Sequence, residues 1–107
     1  MTVIRTAFFE GDLTDEQKQD FYQYMQSEVA PIIATFPKSL GVELNFPDFI
    51  ESENHQNVLL MMRHSYESEE AMKAALNSEQ RIASMNATKV ILDRYPISVH
   101  HMNFIRA

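Results

Sequence analysis

Apolar positions along this chain switch between strand-like and helix-like spacing, and their order reads β-α-β-β-α-β. Val3 to Glu10 is β-branched and aromatic and is closed by Gly11-Asp12, so a first strand is expected there. Thr14-Asp-Glu-Gln17 has the spacing of a capping box, and Phe21, Met25, Val29 and Ile32 follow at helical intervals. Pro31 falls inside that pattern. It removes a backbone donor and crowds the preceding turn at a cost of ~3 kcal/mol, so the helix should kink or restart there. Pro37 and Gly41 bracket the turn into a second strand, from Val42 to about Phe49, in which Val42, Leu44 and Phe46 alternate with Glu43 and Asn45. Pro47 cannot donate to a ladder, which places this strand at an edge or a bulge.

The polar run from Glu51 to Gln56 reads as a hairpin loop, and the third strand runs from about Asn57 to Tyr66. Its core, Val58-Leu-Leu-Met-Met62, shows no alternation. A strand with one side in water should alternate, so both faces of this one are expected to be covered. Ser68 caps a short helix carrying Met72, Ala75 and Leu76, and Asn77-Ser78 breaks it. A second helical piece then runs to about Arg94 with Ile82, Met85 and Leu92, Pro96 stops it, and Ile97 to Ile105 forms the last strand.

This order gives an α+β domain spanning residues 1–107, with an antiparallel sheet and both helices on one side. The first strand sets Val3, Ala7 and Phe9 against Ile4 and Phe8, and the third sets Val58, Leu60 and Met62 against Leu59 and Met61, so the open side would expose several large apolar side chains. Each exposed side chain forfeits ~1.5–3 kcal/mol of burial, and a contiguous patch of this kind marks an interface. The partner expected there is a second copy, related by a two-fold axis.

Composition narrows the function classes. Hydrophobic residues make up 45% and charged residues 22% of the chain, which excludes disorder. With no Cys there is no thiolate nucleophile and no cysteine-based metal site. The net charge of −6 and the scattered basic residues argue against nucleic acid as a partner. No apolar run approaches the ~20 residues of a membrane span, and no secretory leader is visible, so the cytoplasm is the expected location.

Candidate chemistry rests on histidine, whose ordinary pKa lies near neutrality. His55 falls in the hairpin loop, where it should be solvated. His100 and His101 are neighbours on a strand, so one faces the helices and the other the far side. His64 and Tyr66 end the third strand on one face. If the far side encloses a cavity between subunits, His64, Tyr66 and one of the last-strand histidines, His101 being the choice, would line it. A His–Tyr pair there supplies a base and an oxyanion donor for removing a proton beside a carbonyl. Arg5 and Arg63 interrupt apolar strands; pairing with an acid such as Glu10 or Glu43 is the first expectation, an anionic ligand the alternative. No metal, dinucleotide or P-loop motif is present, and no cofactor is expected.

Short motifs carry a family resemblance across nearly the whole chain. Phe21-Tyr-x-Tyr-Met leading to Glu28-Val-Ala-Pro31, then Phe36-Pro37, and later Ser65-Tyr-Glu-Ser-Glu-Glu-Ala-Met72 before Ala-Ala-Leu-Asn-Ser78-Glu, resemble the EthD-like family. That family is named for ethyl tert-butyl ether degradation and belongs to the dimeric α+β barrel superfamily. The resemblance implies a ferredoxin-like subunit whose sheet packs on that of a second subunit to form a barrel. It also implies a homodimer that binds an apolar or aromatic small molecule between sheet and helices, of the kind used by cofactor-independent oxygenases, isomerases and cyclases. The alternative is a non-catalytic ligand-binding or assembly module. Two departures stand out: Val29 occupies the place of a family histidine, and Pro37-Lys38 that of a Pro-Gly. RNA recognition is excluded because the third strand offers Leu and Met where stacking aromatics and glycine are needed.

Overall fold

The capping box at Thr14 forms as expected. In the computed structural model, which covers residues 1–107, Gln17 N–H donates to Thr14 Oγ1 at 3.2 Å and Thr14 N–H to Gln17 Oε1 at 3.0 Å. This starts α1 (Asp15–Tyr24), after β1 (Val3–Glu10). The helix reaches Pro31 through a π turn, Met25–Val29, and restarts as α2 (Ala30–Ile33). Because Pro31 has no N–H, the ladder must be broken near it, and the wider turn absorbs the break. The chain continues through β2 (Ser39–Asn45), β3 (Val58–Tyr66), α3 (Glu69–Leu76), α4 (Glu79–Arg94) and β4 (Ser98–Ile105). Ser68 and Ser78 cap α3 and α4, accepting from Ala71 N–H and Arg81 N–H.

All strand pairs are antiparallel, in the order β2-β3-β1-β4. This is the ferredoxin-like arrangement, and β2 lies at an edge. β2 begins earlier and stops sooner than expected, at Ser39 and Asn45, so Pro47 lies outside it. Gly41 is inside the strand and not in the preceding turn. It marks a register shift between Ser39 and Gly41 and takes φ +141°, a conformation open to glycine.

The core lies between the sheet and the helices, built on Phe9, Phe21, Met25, Val29, Leu60, Tyr66 and Ile91. Leu59, expected on the face opposite Leu60, is buried in this same cluster with it. The β1–β3 register shifts there, Phe9 opposing Leu60 and Glu10 opposing Val58, which takes Leu59 out of simple alternation. On the far face the register aligns Ile4 with Phe104, Thr6 with Met102, and Phe8 with Met61 and His100. Met102 and Phe104 are about half exposed, at 47% and 49%.

The inward face of α4 carries Met85 and Leu92 to the cavity, as expected, but not Ile82. Ile82 and Met85 are 60% and 55% exposed, whereas Ser84 and Ile91 are buried. Arg81, Ser84, Thr88 and Leu92 fall at helical spacing along the side of α4 toward the sheet. The small side chains of Ser84 and Thr88 on the helix and Ala7 on β1 leave empty space between α4 and the sheet.

Candidate functional site

That space is a cavity of about 480 Å³, walled by Ala7, Phe9, Ile33, Phe36, Met62, Leu76 and Val99, with polar groups from Arg5, His64, Tyr66, Arg81 and His101. It exceeds the ~300 Å³ at which pockets hold small metabolites. The polar residues expected together are together, but on the helix side of the sheet and within one chain. They do not lie on the far side between subunits. Strand parity explains the placement: Arg5, His64 and Val42 are cross-strand partners, and the face they share is the one carrying Ala7 and Phe9. His101 opposes Ala7 and joins this face, while His100 turns to the far side and stacks on Phe8 at 5.4 Å. His55 lies in an exposed 3₁₀ turn, Glu53–His55.

His64 is held at both ring nitrogens. Tyr66 Oη lies 3.0 Å from Nδ1 and Ser39 Oγ 2.6 Å from Nε2, with Phe36 packed 5.3 Å from the ring. Ser39 Oγ in turn accepts from Gly41 N–H at 3.1 Å. The Gly41 bulge makes this possible, because it brings Ser39 opposite Tyr66. Adding a Cβ at Gly41 meets nothing within 4 Å, so Gly41→Ala isolates the backbone cost. Urea unfolding should show a loss of about 1–3 kcal/mol; a loss under ~0.5 kcal/mol would mean the bulge relaxes freely.

Burial lowers the His64 pKa to about 4 and is the main cause raising Tyr66 to about 12, against the opposing charges of Arg5 and Arg81. At neutral pH the imidazole is therefore neutral and the phenol protonated. A neutral ring donates at one nitrogen and accepts at the other. In one arrangement Tyr66 donates to Nδ1 and Nε2–H donates to Ser39. In the other, Ser39 donates to Nε2 and Nδ1–H to Tyr66, which frees the phenol proton for the cavity. His101 stands exposed at the cavity mouth without a side-chain hydrogen bond. Desolvation, then the charges of Arg5 and Arg81 and the adjacent His100, lower its pKa.

The two arginines divide. Arg63 pairs with Glu43 across the strands at 3.4 Å on the far face, as expected. Arg5 pairs with no acid; it donates to Asn103 Oδ1 at 3.1 Å and reaches the cavity. Arg81 and Ser39 escaped the sequence reading. The stripe Arg81-Ser84-Thr88 was the available signal for Arg81, whereas Ser39 depends on a bulge that only Gly41 hinted at. Val29, in the place of the family histidine, is fully buried in the core. Lys38 takes φ +60°, the left-handed conformation that a glycine would adopt without strain. No three His, Asp or Glu side chains gather as metal ligands, and no helix is long and apolar enough to cross a membrane.

No protein-family profile and no curated protein sequence matches the chain. Solved structures do. An ethyl tert-butyl ether degradation (EthD) family protein from Bacillus halodurans superposes with a TM-score of 0.79 at 18% identity, covering 100% of both chains. The fold is that of an EthD protein. A dimeric protein of unknown function with a ferredoxin-like fold, from Bacteroides fragilis, matches with a TM-score of 0.72 at 12% identity over 98% of this chain and 96% of its own. SnoaB, a cofactor-independent oxygenase from Streptomyces nogalater, matches with a TM-score of 0.59 at 13% identity over 99% and 93%. At these identities the likeness is one of fold, and it agrees with the EthD-like motifs in the sequence.

Proposed function

We propose that this chain forms a homodimer whose subunits each bind an apolar, ring-containing small molecule beneath α4 and convert it without a cofactor. The observation that carries the reading is the cavity itself, walled largely by apolar side chains and lined also by the hydrogen-bonded Tyr66–His64 pair. Oxygenation, isomerisation and cyclisation of such molecules share one demand, removal of a proton beside a carbonyl with the resulting oxyanion stabilised. Tyr66 stays protonated and is the oxyanion donor. His64 orients it and exchanges a proton with it, and the unencumbered His101 at the mouth is the candidate base. SnoaB, with the same fold, lends weight to a cofactor-free reaction. The half-exposed Met102 and Phe104 on the open sheet face, and the dimeric Bacteroides fragilis protein, support the pairing of two subunits.

Native mass spectrometry of the purified protein should report twice the 12.4 kDa chain mass and any retained small molecule. With a substrate in hand from that measurement or from a screen of aromatic ketones in air, His64→Ala or His101→Ala should lower turnover by ~10²-fold or more, the scale of general acid–base catalysis. Both variants should stay dimeric. Full turnover in both would remove these residues from the chemistry. A second reading, non-catalytic binding, is favoured by one observation: both nitrogens of His64 are occupied, and desolvation lowers the pKa of His64 and of His101 to about 4, which makes each a weak base at neutral pH. Recovery of the bound molecule unchanged after incubation in air would select that reading.

A further inference from the structure

The charges lining the cavity do not balance. Arg5, Arg81 and Lys89 reach it, against a single carboxylate, Asp93, and that carboxylate is taken by Lys89 at 2.5 Å. Arg5 and Arg81 have no acid within ion-pair distance. Arg5 donates to the Asn103 amide oxygen at 3.1 Å, and Arg81 to the Leu76 carbonyl at 3.3 Å. This is unusual in a chain whose net charge is −6, where acids outnumber bases 15 to nine and two other arginines, Arg63 and Arg94, each hold a carboxylate. The two free guanidinium groups are close enough for the Arg81 charge, with burial, to lower the Arg5 pKa. Both also act on Tyr66 and His101. Two like charges held beside an apolar cavity repel each other and forgo solvation, and an anion placed between them relieves both costs.

We infer that the molecule bound in this cavity is an anion, an apolar ring system bearing one carboxylate or equivalent oxyanion that Arg5 and Arg81 grip while Tyr66 donates to it. This rests on the cavity being a ligand site and adds the chemical class of what enters. Arginine suits the role because its planar fork matches two oxygens at once. The walls of Ala7, Phe9 and Met62 would receive the ring.

The test compares 2-naphthoate with its neutral isostere methyl 2-naphthoate by isothermal titration. The acid should bind at least ~10-fold more tightly, a difference of ~1.4 kcal/mol. Arg5→Gln and Arg81→Gln should each erase that preference, the acid's affinity falling far more than the ester's, Arg5→Lys should retain part of it, and Lys73→Gln on the surface should change nothing. Equal affinity for acid and ester, or an acid preference that survives both glutamine substitutions, overturns the inference while leaving the cavity a ligand site. Filling the cavity with Ser84→Leu should abolish binding of both probes. If neither probe binds the natural protein, or both bind the filled variant as well, the cavity reading fails and this inference with it.

Discussion

Met102→Glu should convert the proposed dimer into a monomer of 12.4 kDa. Met102 sits on β4 on the open face, in register with Thr6, and is 47% exposed in the single chain. Its substitution therefore asks little of the subunit's own core, and the helix content and melting temperature should barely change. In the proposed dimer the same position is covered by the partner's sheet. Two-fold symmetry then introduces two carboxylates at once, each costing several kcal/mol when buried without a partner. The dissociation constant should rise by ~10³-fold or more, each 1.4 kcal/mol being tenfold. Light scattering across a concentration series reads this directly. Ile82→Glu, on the exposed side of α4, is the control and should leave the dimer intact. If Ile82→Glu dissociates the subunits and Met102→Glu does not, the interface lies on the helices and the sheet pairing is wrong.

Most of the fold was legible because its signals are local. The capping box at Thr14, the serine caps at Ser68 and Ser78, and the proline at 31 each act within one turn of chain. The parity of His100 and His101 follows from strand geometry alone, and so does the pairing of His64 with Tyr66. What stayed hidden depended on irregularities and on empty space. The bulge at Gly41 moved the start of β2 and delivered Ser39 to His64, and periodicity cannot show where a register will shift. The β1–β3 irregularity drew Leu59 into the core by the same mechanism. The cavity changed the usual reading of α4. Apolar residues mark the buried face of a helix that packs tightly, but α4 spans a void, so Arg81, Ser84 and Thr88 join Met85 and Leu92 along the cavity while Ile82 faces outward. The polar residues expected to lie together do so, but on the helix side of the sheet.

Lowering the pH from 7 to 4 should destabilise the protein through His64. Its pKa is about 4 in the folded chain and 6.5 for an unperturbed ring, so between these values the unfolded chain takes up a proton that the folded chain refuses. The stabilisation is complete above about pH 6.5, falls as the pH drops, and is gone once the pH passes the folded value near 4. At about 1.4 kcal/mol per unit, the change is on the order of 2–3 kcal/mol, a large share of the 5–15 kcal/mol that holds a domain together. His101 acts in the same direction but is solvent-exposed, so its share is smaller. Asp20, whose pKa is lowered by hydrogen bonds from Tyr95 and Arg94, loses its contribution only below the ordinary carboxylate range, outside this window. Urea unfolding at pH 7.5, 6, 5 and 4 should trace the loss for the natural protein. His64→Gln should start less stable at pH 7.5 and then lose far less on acidification, whereas His101→Gln should keep the natural slope. An equally steep loss in His64→Gln would mean that the ring is not buried as the neutral form. The same burial that creates this acid sensitivity keeps His64 neutral throughout the physiological range, and only a neutral ring can both accept from and donate to its neighbours in the Tyr66–His64–Ser39 chain.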